Sequence, residues 1–233
     1  ESGSRAWGFA STTSDWDVRF IYVRRPEWYL SIQNRRDVIE CALDGELDVS
    51  GWDLKKALGL FAKSNPPLLE WLRSPLVYAE AFSATQQLRE LSAQFFSARA
   101  CLYHYLHMAE GNYREYLCGD SVRLKKYFYV LRPVLACRWI EAHSTMPPVE
   151  FSALVEDQLP LELHASVTSL LARKRSGEEL AVGPRVPEIN AFLDVEIVRL
   201  NAGVALDTPH VPPDIELLDS LFRSTLNEVW GHE

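Results

Sequence analysis

The stretch Glu1-Ser2-Gly3-Ser4-Arg5-Ala6-Trp7-Gly8-Phe9, followed by Ser14-Asp15-Trp16-Asp17-Val18-Arg19-Phe20-Ile21-Tyr22-Val23, decides how the chain is read. Its second half alternates. As an extended strand it carries Asp15, Asp17 and Arg19 on one face and Trp16, Val18, Phe20 and Tyr22 on the other. The two carboxylates then point the same way, roughly 7 Å apart at Cα from the rise of a strand. The aromatic and β-branched face suits burial. The first half holds the glycines and small residues of a tight turn, where backbone N–H groups approach a phosphate closely. A phosphate cradle beside two same-face aspartates is what Mg²⁺-dependent phosphoryl transfer requires.

Gly3-Ser4, ten intervening residues and then Asp15-x-Asp17 resemble the signature of the DNA polymerase β-like nucleotidyltransferase superfamily. The fuller string is similar, more narrowly, to nucleotidyltransferases of the YcgL/RlaP type, which are associated with RNA repair. The resemblance implies an enzyme that moves a nucleoside monophosphate from an NTP, ATP first among them, to a hydroxyl. An RNA 3′ end is the acceptor that RNA repair suggests. By the same resemblance Gly3 and Ser4 hold the triphosphate, and Asp15 and Asp17 bind the catalytic metals. Two Mg²⁺ or Mn²⁺ ions would bridge the triphosphate, lower the pKa of the attacking hydroxyl and stabilise departing pyrophosphate. A protein AMP-transferase of the same fold and a non-catalytic nucleotide-binding protein are the rival readings.

A third carboxylate is expected on a neighbouring strand. Asp44-Gly45 reads as a hairpin turn, and Glu46-Leu47-Asp48-Val49-Ser50 alternates after it, with Glu46, Asp48 and Ser50 on one face. Asp48 is the choice, although Glu46 shares its face. Carboxylates this close repel one another unless a cation sits among them. Arg5 and Arg19 offer planar, bidentate donors, which either neutralise phosphate or pair with a nearby aspartate and order the site.

The 233 residues are 47% hydrophobic and 24% charged, as in ordinary globular proteins. No apolar run approaches the length of a membrane span, and no signal-peptide pattern opens the chain. Cys41, Cys101, Cys118 and Cys137 are scattered without the spacing of a zinc site or disulfide framework. They read as reduced, mostly buried thiols, and the protein as cytoplasmic with no membrane partner. A net charge of −8 argues against a whole-surface grip on nucleic acid. The excess is local, however: residues 78–146 carry eight Lys/Arg against six Asp/Glu, and residues 147–233 carry six against fifteen.

The expected fold is α+β: a small mixed sheet of the polymerase β-like palm type over residues 1–77, then a helical domain over 78–233. The resemblance implies that the helical domain completes the nucleotide and acceptor cleft. It also implies a strand ahead of the Gly-Ser turn, which this chain, beginning at Glu1, does not include. Asp53 reads as the N-cap of a helix through Phe61, and Asn65-Pro66-Pro67 as its stop, with a short helix near 68–72. Helices are expected at 80–97, 98–118, 121–143 (with a kink allowed at Pro133), 150–158, 160–175, 188–201 and 214–230. The last follows a break at Thr208–Pro213. Lys125, Lys126 and Tyr127 resemble the Lys/Tyr cluster with which related nucleotidyltransferases contact triphosphate and base. A solvated basic edge beside a buried aromatic accounts for the same residues, and Arg132 and Arg138 are weaker candidates. Arg99 and His104 match a short pattern of some helical-bundle ribonucleases, one that chance supplies easily.

Overall fold

The structure, a computed structural model, describes every residue except 44, 177–181, 204–213 and 232–233. The expected turn residue Asp44 and the break at Thr208–Pro213 therefore lie outside the described residues. In chain order the first elements are α1 (Gly3–Ala6), β1 (Trp16–Tyr22), α2 (Pro26–Tyr29), β2 (Val38–Glu40) and β3 (Leu47–Asp53). Helices α3 (Leu54–Ala62), α4 (Pro66–Leu72), α5 (Ala84–Phe95) and α6 (Ala98–Tyr116) follow, then β4 (Ser121–Arg123) and α7 (Lys126–His143). The chain ends through α8 (Phe151–Gln158), α9 (His164–Arg175), β5 (Val182–Pro184), α10 (Pro187–Gly203) and α11 (Ile215–Trp230). This is the α+β class that the alternation and helical spacing lead one to expect. No described helix is long and apolar enough to cross a membrane.

Two compact units divide the chain, and neither is continuous in sequence. The first comprises Glu1–Ala6, Asp15–Ser97 and His210–Glu233; the second comprises Trp7–Ser14 and Ala98–Pro209. The observed division falls at Ser97 rather than near 77, because α5 packs with α3 and α4 and because α11 returns to the sheet-bearing unit. Phe61 of α3 and Phe95 of α5 meet within the first unit, ring centroids 5.1 Å apart. Tyr29 meets Phe222 of α11 edge-on at 4.9 Å, and Trp230 Nε1 donates to the carbonyl of Arg24 at 3.0 Å.

In the first unit β3 is central: β1 pairs with it in parallel and β2 antiparallel. The register sets Asp17 opposite Asp48 and Arg19 opposite Ser50. Asp53 caps α3 by accepting from the Lys55 N–H at 2.8 Å, as its position ahead of an apolar helical run implies. It also accepts from the Tyr29 hydroxyl at 2.8 Å, so a fully buried carboxylate is satisfied on both sides. Asn65 does more than stop a helix. Its side chain accepts from Leu68 N–H, and the prolines occupy the first turn of α4, where no N–H is needed.

The second unit is built on α7, which is buried on nearly every side. Phe9, Phe128 and Phe151 form its aromatic centre, with centroid separations of 5.2, 5.6 and 5.8 Å. Arg132 is buried there, its guanidinium 4.5 Å from the Trp7 ring and bonded to the carbonyl of Val149. Pro133 lies inside the helix. The four cysteines are free; Cys101 and Cys137 are buried, whereas Cys41 and Cys118 are exposed, so the thiols divide evenly rather than being mostly buried.

Candidate active site

The sheet-bearing unit gathers Gly3, Ser4, Arg5, Asp15, Asp17, Arg19 and Asp48. Strand alternation turns Asp17 and Arg19 to one face, and parallel pairing with β3 brings Asp48 alongside them. Arg19 ties the pair together. Its Nη2 contacts Asp17 Oδ1 at 3.2 Å and Asp48 Oδ2 at 2.7 Å, while Nη1 donates to the carbonyls of Val18 (3.0 Å) and Asp48 (2.9 Å). One planar fork thus spans two strands and two carboxylates. Of the two roles open to Arg19 in the sequence, the structure displays the ordering one.

Gly3 has φ +59°, and a Cβ there would fall 2.1 Å from Asp17 Oδ2. The turn is therefore pressed against the carboxylate, which explains why glycine occupies that position. Ser4 is buried directly after it. Arg5 also orders the site: its guanidinium lies 3.6 Å from the Trp16 ring centroid, and Nε donates to the Asp15 carbonyl at 3.1 Å. Asp15 itself is exposed at the head of β1.

Glu1 is a participant to which its position alone assigned nothing. Its Oε1 accepts the Asp17 backbone N–H at 2.9 Å, and Oε2 accepts the Tyr78 hydroxyl at 2.5 Å. The Ser2 N–H donates to the Asp17 carbonyl at 2.9 Å, so the residues ahead of Gly3 run along β1. The sequence signal was adjacency to Gly3-Ser4, too slight to name a partner. Burial pushes the Asp17 carboxyl above its ordinary range; Arg19 opposes this, while Asp48, Glu1 and Asp15 add to it. Among the described residues no three carboxylate, histidine or cysteine side chains are already drawn into a metal cage.

The model of the RNA repair pathway DNA polymerase beta family matches residues 1–224. The chain belongs to that family. It is also 50% identical over 231 residues to a protein of Bacillus subtilis (strain 168) described as uncharacterized protein YcgL, covering 99% of this chain and 89% of that one. No solved structure matches significantly.

Within this family member, the remaining candidates fall in the helical unit. Tyr127 is fully buried. Its hydroxyl donates to Asn190 Oδ1 and accepts the Val186 N–H at 2.8 Å, so the ring and its polar tip are used in packing. Lys125 is exposed, and Lys126 is half-buried against Tyr116 and Tyr129. Arg138 pairs with Glu196 at 3.1 Å. Arg99 and His104 both lie on α6, where five residues of separation turn their side chains about 140° apart. They do not share a helix face. Lys174 of α9 is a further cation beside this group, isolated in sequence and unmarked by any motif.

Proposed function

We propose that the protein is a metal-dependent nucleotidyltransferase that transfers NMP from an NTP, with ATP as donor and an RNA 3′ end as acceptor, in the cytoplasm. The Asp17–Asp48 register pair, with the Gly3 turn pressed on Asp17, carries this reading. Asp17 and Asp48 supply the carboxylate oxygens that a hard divalent cation such as Mg²⁺ or Mn²⁺ prefers. Asp17 is crowded by three other carboxylates whose repulsion a single guanidinium offsets in part. Asp15, Asp17 and Asp48 would hold the metal, which when bound supplies charge neutralisation at the triphosphate and a more acidic acceptor hydroxyl.

The chain's own residues do the rest. Gly3 lets the turn press against Asp17, and Ser4 after it would offer its hydroxyl and backbone N–H to phosphate oxygens. Arg19 holds the two carboxylates in register, and Arg5 pins the segment between α1 and β1 through Trp16 and the Asp15 carbonyl. Glu1, anchored by Tyr78, fixes the Asp17 backbone.

The decisive assay follows label from each α-³²P NTP onto short RNA, short DNA or the protein itself, with Mg²⁺ or Mn²⁺. Labelled RNA is expected. The Asp15→Asn/Asp17→Asn double variant should lose about 10³-fold or more of that rate, since several kcal/mol of charge stabilisation goes with the metal. Label on protein would replace RNA transfer with AMP transfer to protein. Bound NTP with no transfer to any acceptor would identify a non-catalytic nucleotide binder.

A further inference from the structure

Among its described residues, the helical unit collects ammonium groups with little to neutralise them. Lys174 is half-buried, its Nζ 5.6 Å from the Phe9 ring centroid. Lys126, opening α7, lies 4.2 Å from the Tyr116 ring and 4.9 Å from the Tyr129 ring. Among the described residues its polar contact is a long one, 3.5 Å to Asn112 Oδ1. Arg123 covers Tyr116 from 5.3 Å. Among the described residues, Lys125, Lys126 and Lys174 make no ion pair with a carboxylate.

These charges also lower one another's proton affinity. Burial, then the charge of Lys125, hold the Lys174 ammonium below the ordinary lysine range. Burial and Lys125 lower Lys126 as well; Glu115 partly opposes this, and Arg123 adds to it. Bringing like charges together against half-buried rings opposes folding, and a bound anion would remove that opposition. The rings narrow the choice of anion. Cations interleaved with half-exposed tyrosines match a single nucleic-acid strand, whose phosphates follow the charges and whose bases stack on aromatic faces.

We propose that the face formed by Lys125, Lys126 and Lys174 with Tyr116 and Tyr129 docks single-stranded RNA. The choice of RNA rests on the RNA-repair reading of the family; the charge and ring arrangement stands without it. The face lies in the helical unit, whereas the acidic cluster and Gly-Ser turn lie in the other.

The test is fluorescence anisotropy of a fluorescein-labelled single-stranded RNA titrated with the full chain across a salt series. A fluorescent ATP analogue is titrated in parallel. Wild type should bind RNA with log K falling as log[salt] rises. Lys125→Ala and Lys174→Ala should each weaken RNA about 3- to 10-fold and flatten the salt slope by about one. Lys174→Arg should restore both, and Lys174→Ala should melt no lower than wild type. The Asp15→Asn/Asp17→Asn variant should still bind RNA. That separates the two claims: transfer can fail in wild type while the face still binds. No RNA binding by wild type, or unchanged binding by both alanine variants, overturns the proposal. So does loss of the ATP analogue with RNA binding intact, which would assign the lysines to triphosphate.

Discussion

The acidic cluster on β1 and β3 and the basic face of the helical unit are both crowds of like charge, yet they are relieved differently. The acids carry their own counter-cation. Arg19 sits between Asp17 and Asp48, held by two backbone carbonyls as well as two carboxylates, and leaves Asp17 strained upward in pKa. The lysines have no such partner among the described residues, and Lys126 and Lys174 rest on aromatic rings. A cluster with a built-in counter-ion can be held in place before any ligand arrives. A cluster tempered only by rings and burial is relieved by what binds it.

The comparison breaks most sharply at Gly3. Gly3→Ala places a Cβ against Asp17 in a left-handed conformation and should lower stability by about 2–4 kcal/mol, read from urea midpoints. A neutral result would mean that the turn is not pressed on the carboxylate. Next comes Arg19→Met, which leaves two part-buried carboxylates facing each other and should cost about 1–3 kcal/mol. Melting in Mg²⁺ should recover more of that loss than it adds to wild type, because a divalent ion answers the same repulsion. Equal responses would separate Arg19 from the metal.

Asp17→Asn sharpens the acidic side with an effect of opposite sign. The folded-state pKa is raised above its ordinary value of 3.8, so ionisation of Asp17 opposes folding. Its contribution to stability is present at low pH and is lost as pH rises through the folded-state value. The Asn variant should therefore melt higher than wild type near neutral pH, with the gap closing as pH falls toward 3.8. A gap independent of pH would remove the electrostatic explanation. The smallest effect is expected on the basic side: Lys174→Met should raise the melting temperature slightly at low salt and not at high salt. A fall at both would make Lys174 structural.

How far the sequence reached depended on how local each signal was. The Asp17 and Arg19 face of β1, the Asp53 cap and the helical spacing of α6 and α7 are decided within one turn or one pleat and could be read directly, whereas Trp16, expected on a buried face, is exposed. Asp48 could be named because it too lies on an alternating strand, but its pairing with Asp17 depends on parallel register. Tyr127 misled because a tyrosine beside two lysines looks the same in sequence whether its hydroxyl meets a ligand or, as here, Asn190 and Val186, about sixty residues away. Lys174 escaped notice for the same reason: its place beside Phe9 is made by contacts between distant segments.

The sequence by itself determined the α+β class, the shared face of Asp17 and Arg19 on β1 and the helical character of the second half. All of these follow from periodicity and from residues whose backbone preferences act over a few positions. The tertiary structure decided which carboxylate stands opposite Asp17, that Arg19 bridges the pair and that Glu1 and Tyr78 brace it. It also returned α11 to the first unit and drew Trp7–Ser14 into the second. Those outcomes rest on burial and on pairing between segments far apart in the chain, where many arrangements suit the local pattern and only close packing selects one.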